Sequence, residues 1–251
     1  MPQSIKYYGL SRFYQKNKIE IRKACDLAFE KGQFIDGEQT KSFENNLAVF
    51  CGRRYAVAVG SGTDALFFAL KLMGINQDDE VLIPAISFIV SATAIIRAEA
   101  IPVFVDVNPQ NALMDCNDAK TKITAKTKAI LYVDLYGNLP EIEQIKSFAK
   151  THNLIIIEDA AQALGSERNN IRAGNFGNIS ILSFDPSKPI GAFGTGGALL
   201  TNNINIAKKC KQMRQNGKNS NTGKYDDFGI NSRISEYQAV LLNMQLNNFE
   251  K

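Results

Sequence analysis

A lysine confined in a tight turn behind a buried strand can lose its proton readily and attack a carbonyl carbon to form an imine. Lys188 stands in such a place, in ISILSFDPSKP (179–189), with prolines on both sides of it. The glycine-rich run GAFGTGG (191–197) follows and leaves room for a bulky planar group. A second group with chemical potential is Asp159, in IEDAAQA (157–163), a carboxylate at the end of an apolar run with small residues after it. A buried carboxylate needs a partner, and a protonated pyridine nitrogen is one that would suit. Taken alone, a helix-capping Asp is the plainer account of Asp159, as a surface amine is of Lys188. The third is Gly60-Ser61-Gly62-Thr63-Asp64-Ala65, which follows a strand-like run and opens a helical one. Exposed N–H groups at a helix N-terminus bind phosphate, and glycine lets the phosphate come close. The run also fits G-x-G-x-x-A, but a dinucleotide site wants an acid at the end of the next strand. That strand ends in Pro84, with Asp78, Asp79 and Glu80 at its start, so only phosphate binding survives. An ordinary helix start capped by Ser61 or Thr63 is the competing reading.

Other chemistry has little to work with. The chain of 251 residues contains one histidine, His152, so a histidine-dependent triad or metal site would have to run through it alone. In AKTHNL it reads as a helix C-terminal residue. Four scattered cysteines (Cys25, Cys51, Cys116, Cys210) form no C-x-x-C pair and read as buried thiols of a reducing compartment. A formal net charge of +4 is mild, and demands neither a nucleic acid nor a membrane, though it suits an anionic substrate. No transmembrane run or signal peptide is visible, which predicts a cytoplasmic protein.

The elements that must position these groups are strand-like runs at 55–59, 80–84, 101–106, 129–134, 153–159, 179–184 and 197–201. Helix-like stretches (TDALFFALKLMG, FIVSATAIIRAE, EIEQIKSFAKTH) lie between them. This alternation predicts an α/β fold, with a mostly parallel sheet covered by helices on both faces. The last two runs are joined only by a loop, so the sheet is expected to be mixed. Ligands of such sheets sit beyond the strands' carboxyl ends. Four polar clusters fall there: Ser61 to Thr63, Ser87-Phe88, Glu158-Asp159, and Ser183 to Lys188. Their convergence on one edge predicts an active site. The stretch QNGKNSNTGKYDD (215–227) reads as a mobile loop, and Lys208, Lys209, Lys211, Arg214 and Lys218 as a solvated helix face. The chain stops at LLNMQLNNFEK, inside a helical pattern.

Together these pieces resemble the DegT/DnrJ/EryC1/StrS family of nucleotide-sugar aminotransferases, which depend on pyridoxal phosphate and have the type I (aspartate aminotransferase-like) fold. The resemblance starts near Gly32 and runs through SGTDAL, DEVLIPAISFIVSATAI, PVFVDVNP, DLYGN, IIEDAAQALG, FGNISILSFDPSK, GAFGTGGAL and GINSRISEYQA. It implies an N-terminal segment (1–31) and a cofactor-binding large domain (32–251). It further implies that Lys188 carries the cofactor as a Schiff base and moves the proton, and that Asp159 pairs with the pyridine nitrogen. Gln162 would lie near the ring hydroxyl and Phe88 on the ring face. Gly62, Thr63 and Ser183 would hold the phosphate, and Asn231 would reach the cofactor of a second subunit, making a homodimer with shared sites. Glutamate would load the nitrogen, and a keto group on a nucleotide-linked deoxysugar would take it, as in polysaccharide biosynthesis. A dehydrating branch of the family has histidine at the Schiff-base position; Lys188 favours transamination. Asp64 in the SGT motif leans toward 3-keto sugars.

Two departures stand out. Family members carry a small C-terminal domain of roughly a hundred residues, an ordinary domain size, and this chain ends before it. Asp185-Pro186-Ser187 replaces a more usual aromatic or glycine before the lysine, and Pro189 follows directly, which could loosen the site or alter sugar preference. A cofactor-binding but silent homologue is therefore one alternative to the aminotransferase, and a nicotinamide-dependent sugar oxidoreductase is another.

Overall fold

The computed structural model describes residues 9–249. Two helices come first, α1 (Leu10–Glu30) and α2 (Glu38–Phe50), followed by strand β1 (Tyr55–Val59) and α3 (Gly62–Leu72). Strand and helix then alternate: β2 (Glu80–Pro84), α4 (Val90–Arg97), β3 (Ile101–Val105), α5 (Cys116–Thr121), β4 (Thr127–Val133), α6 (Ile142–Thr151) and β5 (Ile155–Asp159). A short hairpin, β6 (Glu167–Arg168) and β7 (Ile171–Arg172), leads to β8 (Ile179–Ser183) and β9 (Gly197–Thr201). Helices α7 (Ile204–Met213) and α8 (Glu236–Asn247) complete the described fold.

Seven strands form one sheet in the order β1-β9-β8-β5-β4-β2-β3. Pairings β2 with β3, β2 with β4, β4 with β5 and β5 with β8 are parallel, whereas β9 runs antiparallel to both β1 and β8. The mixed sheet expected from the loop between the last two strands is thus observed. All seven apolar runs are strands, and the boundaries differ only where local geometry intervenes. Asn153 takes a left-handed φ of 54° after α6, which delays β5 to Ile155. The edge strand β3 departs from the two-sided pattern, because Ile101 and Phe104 stay exposed.

Period-two alternation splits the strands' apolar residues between two layers. Val57, Leu131, Ile157, Ile181 and Leu199 face α3, α4 and α7, where Leu66, Phe68 and Ile95 meet them. Ala58, Leu182 and Leu200 face α2 and α8, and Ile130 and Ile156 face α5 and α6. Each fully buried residue of Leu or Phe size contributes about 1.5–3 kcal/mol. Helix α1 lies on α8.

Some sequence-based expectations are corrected here. Arg214 is no part of a solvated face: it is buried, donates to Glu44 Oε1 and Ala58 O, and pairs with Asp36 at 3.0 Å. Lys208, Lys209, Lys211 and Lys218 are exposed as expected. The 215–227 stretch is tied across by Lys218↔Tyr225 and Gln215↔Asn231 bridges. Helix α8 is capped at Asn248. Cys51 and Cys210 are buried, their thiols pushed up to about 12 by burial, while Cys25 and Cys116 are only half-buried. His152 is the C-cap of α6, stacked near Phe148. Among the described residues, no helix is long and apolar enough to cross a membrane, and no cluster of His, Cys, Asp and Glu could hold a metal.

Candidate active site

Strands β1, β4, β5 and β8 deliver their carboxyl ends to one cleft of about 840 Å3. At one end lies the start of α3. Ser61 is extended and caps the helix, its Oγ accepting from Asp64 N–H at 3.0 Å. This is the ordinary helix start that the sequence allowed, and it leaves the N–H groups of Gly62 and Thr63 without helical acceptors at the cleft wall. A Cβ on Gly62 would lie 2.8 Å from Ser183 Cβ, and one on Gly197 would lie 2.5 Å from the Ser61 backbone. Only glycine lets β8, β9 and the helix start close around the same point, which makes an anion-sized cradle of backbone and Ser183 hydroxyl.

The floor is Asp159. Its side chain shares a face with Val133 and Ile181, which pair with it in register and also line the cleft. Burial pushes its carboxyl up to about 6, against the pull of the Ala161 N–H bond and of the Lys188 ammonium. Lys188 sits on the opposing turn, half-buried and lining the same cleft. That turn is firmly built: Lys188 N–H donates to Asp185 O at 2.9 Å, and Asp185 Oδ1 accepts from Ser187 N–H and Oγ–H at 2.9 and 2.6 Å. The Asp-Pro-Ser departure therefore closes the turn instead of loosening it.

Gln162 is oriented by its surroundings. Its Oε1 accepts from Tyr136 N–H at 3.0 Å, so the amide NH2 is the end left for a ligand. Phe88 is 65% exposed and forms a wall. Gly62, Thr63, Phe88, Asp159, Gln162, Ser183 and Lys188 thus share one cavity. Asn231 does not line it; it is exposed, bridged to Gln215, and accepts from Arg233 Nε at 3.2 Å.

Two features escaped the sequence reading. Tyr136, 84% exposed at φ 56°, lines the cleft from the turn after β4; its Tyr-Gly pair was the available signal, since glycine at 137 also takes positive φ. Glu158, grouped above with the cleft residues, faces the other side of the sheet. It accepts from Phe176 and Gly177 N–H at 3.0 and 3.1 Å, from Gly174 N–H and from Ser180 Oγ–H, with Arg53 at 3.9 Å.

The cavity fits pyridoxal phosphate chemically: a phosphate cradle, a buried carboxylate opposite a lysine, and an apolar wall between them. The competing dinucleotide reading gains nothing, because β2 ends in Pro84 and carries its acid, Glu80, at the far end.

Comparison with known proteins follows the same line. The DegT/DnrJ/EryC1/StrS aminotransferase family matches residues 15–251. A UDP-N-acetyl-3-dehydro-alpha-D-glucosamine 3-aminotransferase of Acidithiobacillus ferrooxidans is 39% identical over 223 residues, covering 89% of this chain and 60% of its own. A 3-oxo-glucose-6-phosphate:glutamate aminotransferase of Bacillus subtilis is 36% identical, covering 98% and 57%. Among solved structures, the NtdA protein of Bacillus subtilis with bound cofactor PMP superposes with a TM-score of 0.90 at 32% identity, over 99% of this chain and 57% of that one. The chain spans about three-fifths of the length of these two curated relatives. With the cleft built from the segments that carried the resemblance, and a match running through nearly all of its length, the chain belongs to the DegT/DnrJ/EryC1/StrS aminotransferase family.

Proposed function

We propose that this chain is the large, cofactor-binding domain (32–251, preceded by the segment 1–31) of a pyridoxal-phosphate-dependent aminotransferase. It moves an amino group from glutamate to the C3 keto group of a nucleotide-linked deoxysugar. The carrying observation is Asp159, a buried carboxylate at the cleft floor, facing the Lys188 ammonium beneath a helix N-terminus. The two curated relatives described above support C3, since both act on 3-keto sugars by their names, and one of those names includes glutamate.

Bound in the cleft, pyridoxal phosphate supplies an electron sink for negative charge at the substrate carbon. The chain's residues do the rest. Gly62 and Thr63 N–H groups and the Ser183 hydroxyl bind the phosphate. The Asp159 carboxylate would hold the proton on the ring nitrogen. Gln162 donates its amide N–H to the ring hydroxyl, its carbonyl being occupied by Tyr136. Phe88 covers one ring face and excludes water. Lys188 Nζ would hold the cofactor, and its amine would move the proton at the donor carbon. Asn231, exposed and outside its own cleft, reaches the phosphate in a second copy, so the working unit is a homodimer. Four free thiols suit a cytoplasmic setting.

The test is a visible absorption spectrum of the protein with added pyridoxal phosphate, before and after glutamate. A bound-cofactor band that glutamate bleaches, followed by recovery with a 3-keto nucleotide sugar, is the expected result. Recovery with a 3-keto sugar phosphate instead would change the substrate class. A stable band indifferent to glutamate would leave a silent binder, and no band would sink the reading. Lys188→Ala should abolish amino transfer, with the melting temperature unchanged.

A further inference from the structure

The buried groups that this chemistry leaves unused converge behind the cleft floor. Asp134, directly after β4, is fully buried, and neither of its carboxyl oxygens receives a hydrogen bond. An ionised carboxylate in that position would be untenable. Register places Tyr132 beside Glu158 and Val133 beside Asp159, so Asp134 lies just past the Asp159 level. Its own carboxyl is within hydrogen-bonding reach of the Glu158 carboxylate. Two carboxyl groups that meet can hydrogen-bond to each other only through a proton.

We propose that Asp134 and Glu158 share a single proton, carried on Asp134, and that this neutral acid is a positioning residue for Asp159. Glu158 takes the charge because three backbone N–H groups, the Ser180 hydroxyl and the Arg53 guanidinium all converge on it. Asp134 has only the Glu158 carboxylate to bond, and can do so only as a donor. Burial first, then the Glu158 and Asp159 charges, hold its carboxyl well above the usual carboxylate range. The other ionisable groups on this side agree. Tyr132 is pushed up by burial, so it is neutral; Arg53 is committed to Glu158, Gly174 and Gly177; and Arg168 bonds Leu139 O and Glu141.

The link to the cleft runs through the backbone. Asp134 N–H donates to Asp159 O at 3.0 Å, and Asp134 O accepts from Gly137 N–H at 3.2 Å, closing the turn that aims Tyr136 at Gln162. A neutral Asp134 holds both in place without adding a second negative charge behind Asp159, which would drive that carboxyl toward protonation. The bearing on catalysis rests on the role proposed above for Asp159; the shared proton does not.

The discriminating experiment compares wild type with Asp134→Asn, which keeps the shape and a donor and is neutral at every pH. An infrared difference spectrum of the cofactor-free proteins in heavy water at neutral pH should show the carbonyl stretch of a protonated carboxylic acid, lost in the variant. Loss of an ionised carboxylate's bands instead would overturn the proposal. Because the folded-state value of Asp134 is raised, its contribution to stability is complete below the unfolded value near 4 and declines as pH rises. The melting temperature of the variant should therefore pull ahead of wild type, with the gap widening as the pH rises above about 5; a constant or closing gap would contradict the shared proton. With added pyridoxal phosphate, Asp134→Asn should keep the wild-type pH profile of the cofactor band and Asp134→Leu, which cannot donate to Glu158, should shift it. Equal shifts in both would remove the positioning role. If wild type itself takes up no cofactor, the aminotransferase reading fails, and the infrared and melting results still decide the proton.

Discussion

Glu158 and Asp159 are adjacent carboxylates on one strand, yet they belong to two different regions of the molecule. On the back face, Glu158 is fully buried and saturated with donors, and its charge is balanced by Arg53. On the cleft face, Asp159 accepts one backbone bond, from Ala161, and otherwise looks across a cavity at Lys188. The back face has spent its polar groups on the fold, whereas the cleft face keeps a charge in want of a partner. Strand alternation alone separates the two. On β5, the carboxylate with one bond faces the cavity and the one with many is part of the frame.

The strongest way to break this comparison is to remove the framework carboxylate. Glu158→Ala leaves the Arg53 guanidinium buried without its counter-charge and strips the acceptor from the 174–177 turn. Breaking one side of a buried pair costs about 3–5 kcal/mol. Urea unfolding should show a loss of that order. A near-neutral result would move Glu158 out of the frame.

Asp159→Asn should have the opposite sign. The carboxyl is raised from the unfolded value near 3.9 to about 6, so its stabilising contribution is full below about pH 4 and is lost as pH climbs through about 6. At neutral pH the cofactor-free Asn variant should be more stable than wild type by on the order of 2 kcal/mol, and glutamate should no longer bleach the cofactor band. Melting curves at about pH 4.5 and about pH 7.5 check the sign, because the gap must open only at the higher pH.

A smaller effect is expected where the cleft is tied to the segment carrying Asn231. Asp64 accepts from Ser232 Oγ–H at 2.8 Å and pairs with Arg97 at 2.9 Å, and Ser232 in turn accepts from Gly60 N–H. Asp64→Ala should cost about 1 kcal/mol and weaken cofactor retention, as measured by dialysis. Retention as in wild type would separate the two segments.

What was legible in the sequence follows from the range of the forces involved. The seven strands of the large sheet could be read from apolar runs, because burial on both faces writes itself into consecutive residues in all of them but the edge strand β3, whereas the short β6–β7 hairpin could not. The cleft residues could be read as polar breaks at the ends of those runs. The framework could not. Arg214 meets Glu44 across 170 positions and Asp36 across a similar gap, so its burial leaves no local trace, and its neighbours Lys209 and Lys211 are exposed. Glu158 likewise looked like a cleft residue, since adjacency in sequence hides the face on which a side chain falls. Tyr136 depends on a left-handed backbone, which its Tyr-Gly pair permits but does not dictate.

The smallest predicted effect sharpens the comparison most, because it asks whether an apolar residue can be purely functional. Phe88 is 65% exposed and belongs to none of the three core clusters. Its removal should therefore leave folding stability within about 0.5 kcal/mol, as for surface substitutions generally. An aromatic ring stacked on a flat ligand contributes about 0.5–1.5 kcal/mol beyond its buried area. Phe88→Ala should thus weaken pyridoxal phosphate binding by at least roughly 2- to 12-fold, the share of stacking alone, with an unchanged melting temperature for the cofactor-free protein. Phe88→Leu should retain the apolar cover and recover only part of that loss. If Leu binds as tightly as Phe, the wall acts by excluding water and stacking adds nothing. If the cofactor-free melting temperature drops in either variant, Phe88 belongs to the frame, and the cleft is less separate from the core than the two faces of β5 imply.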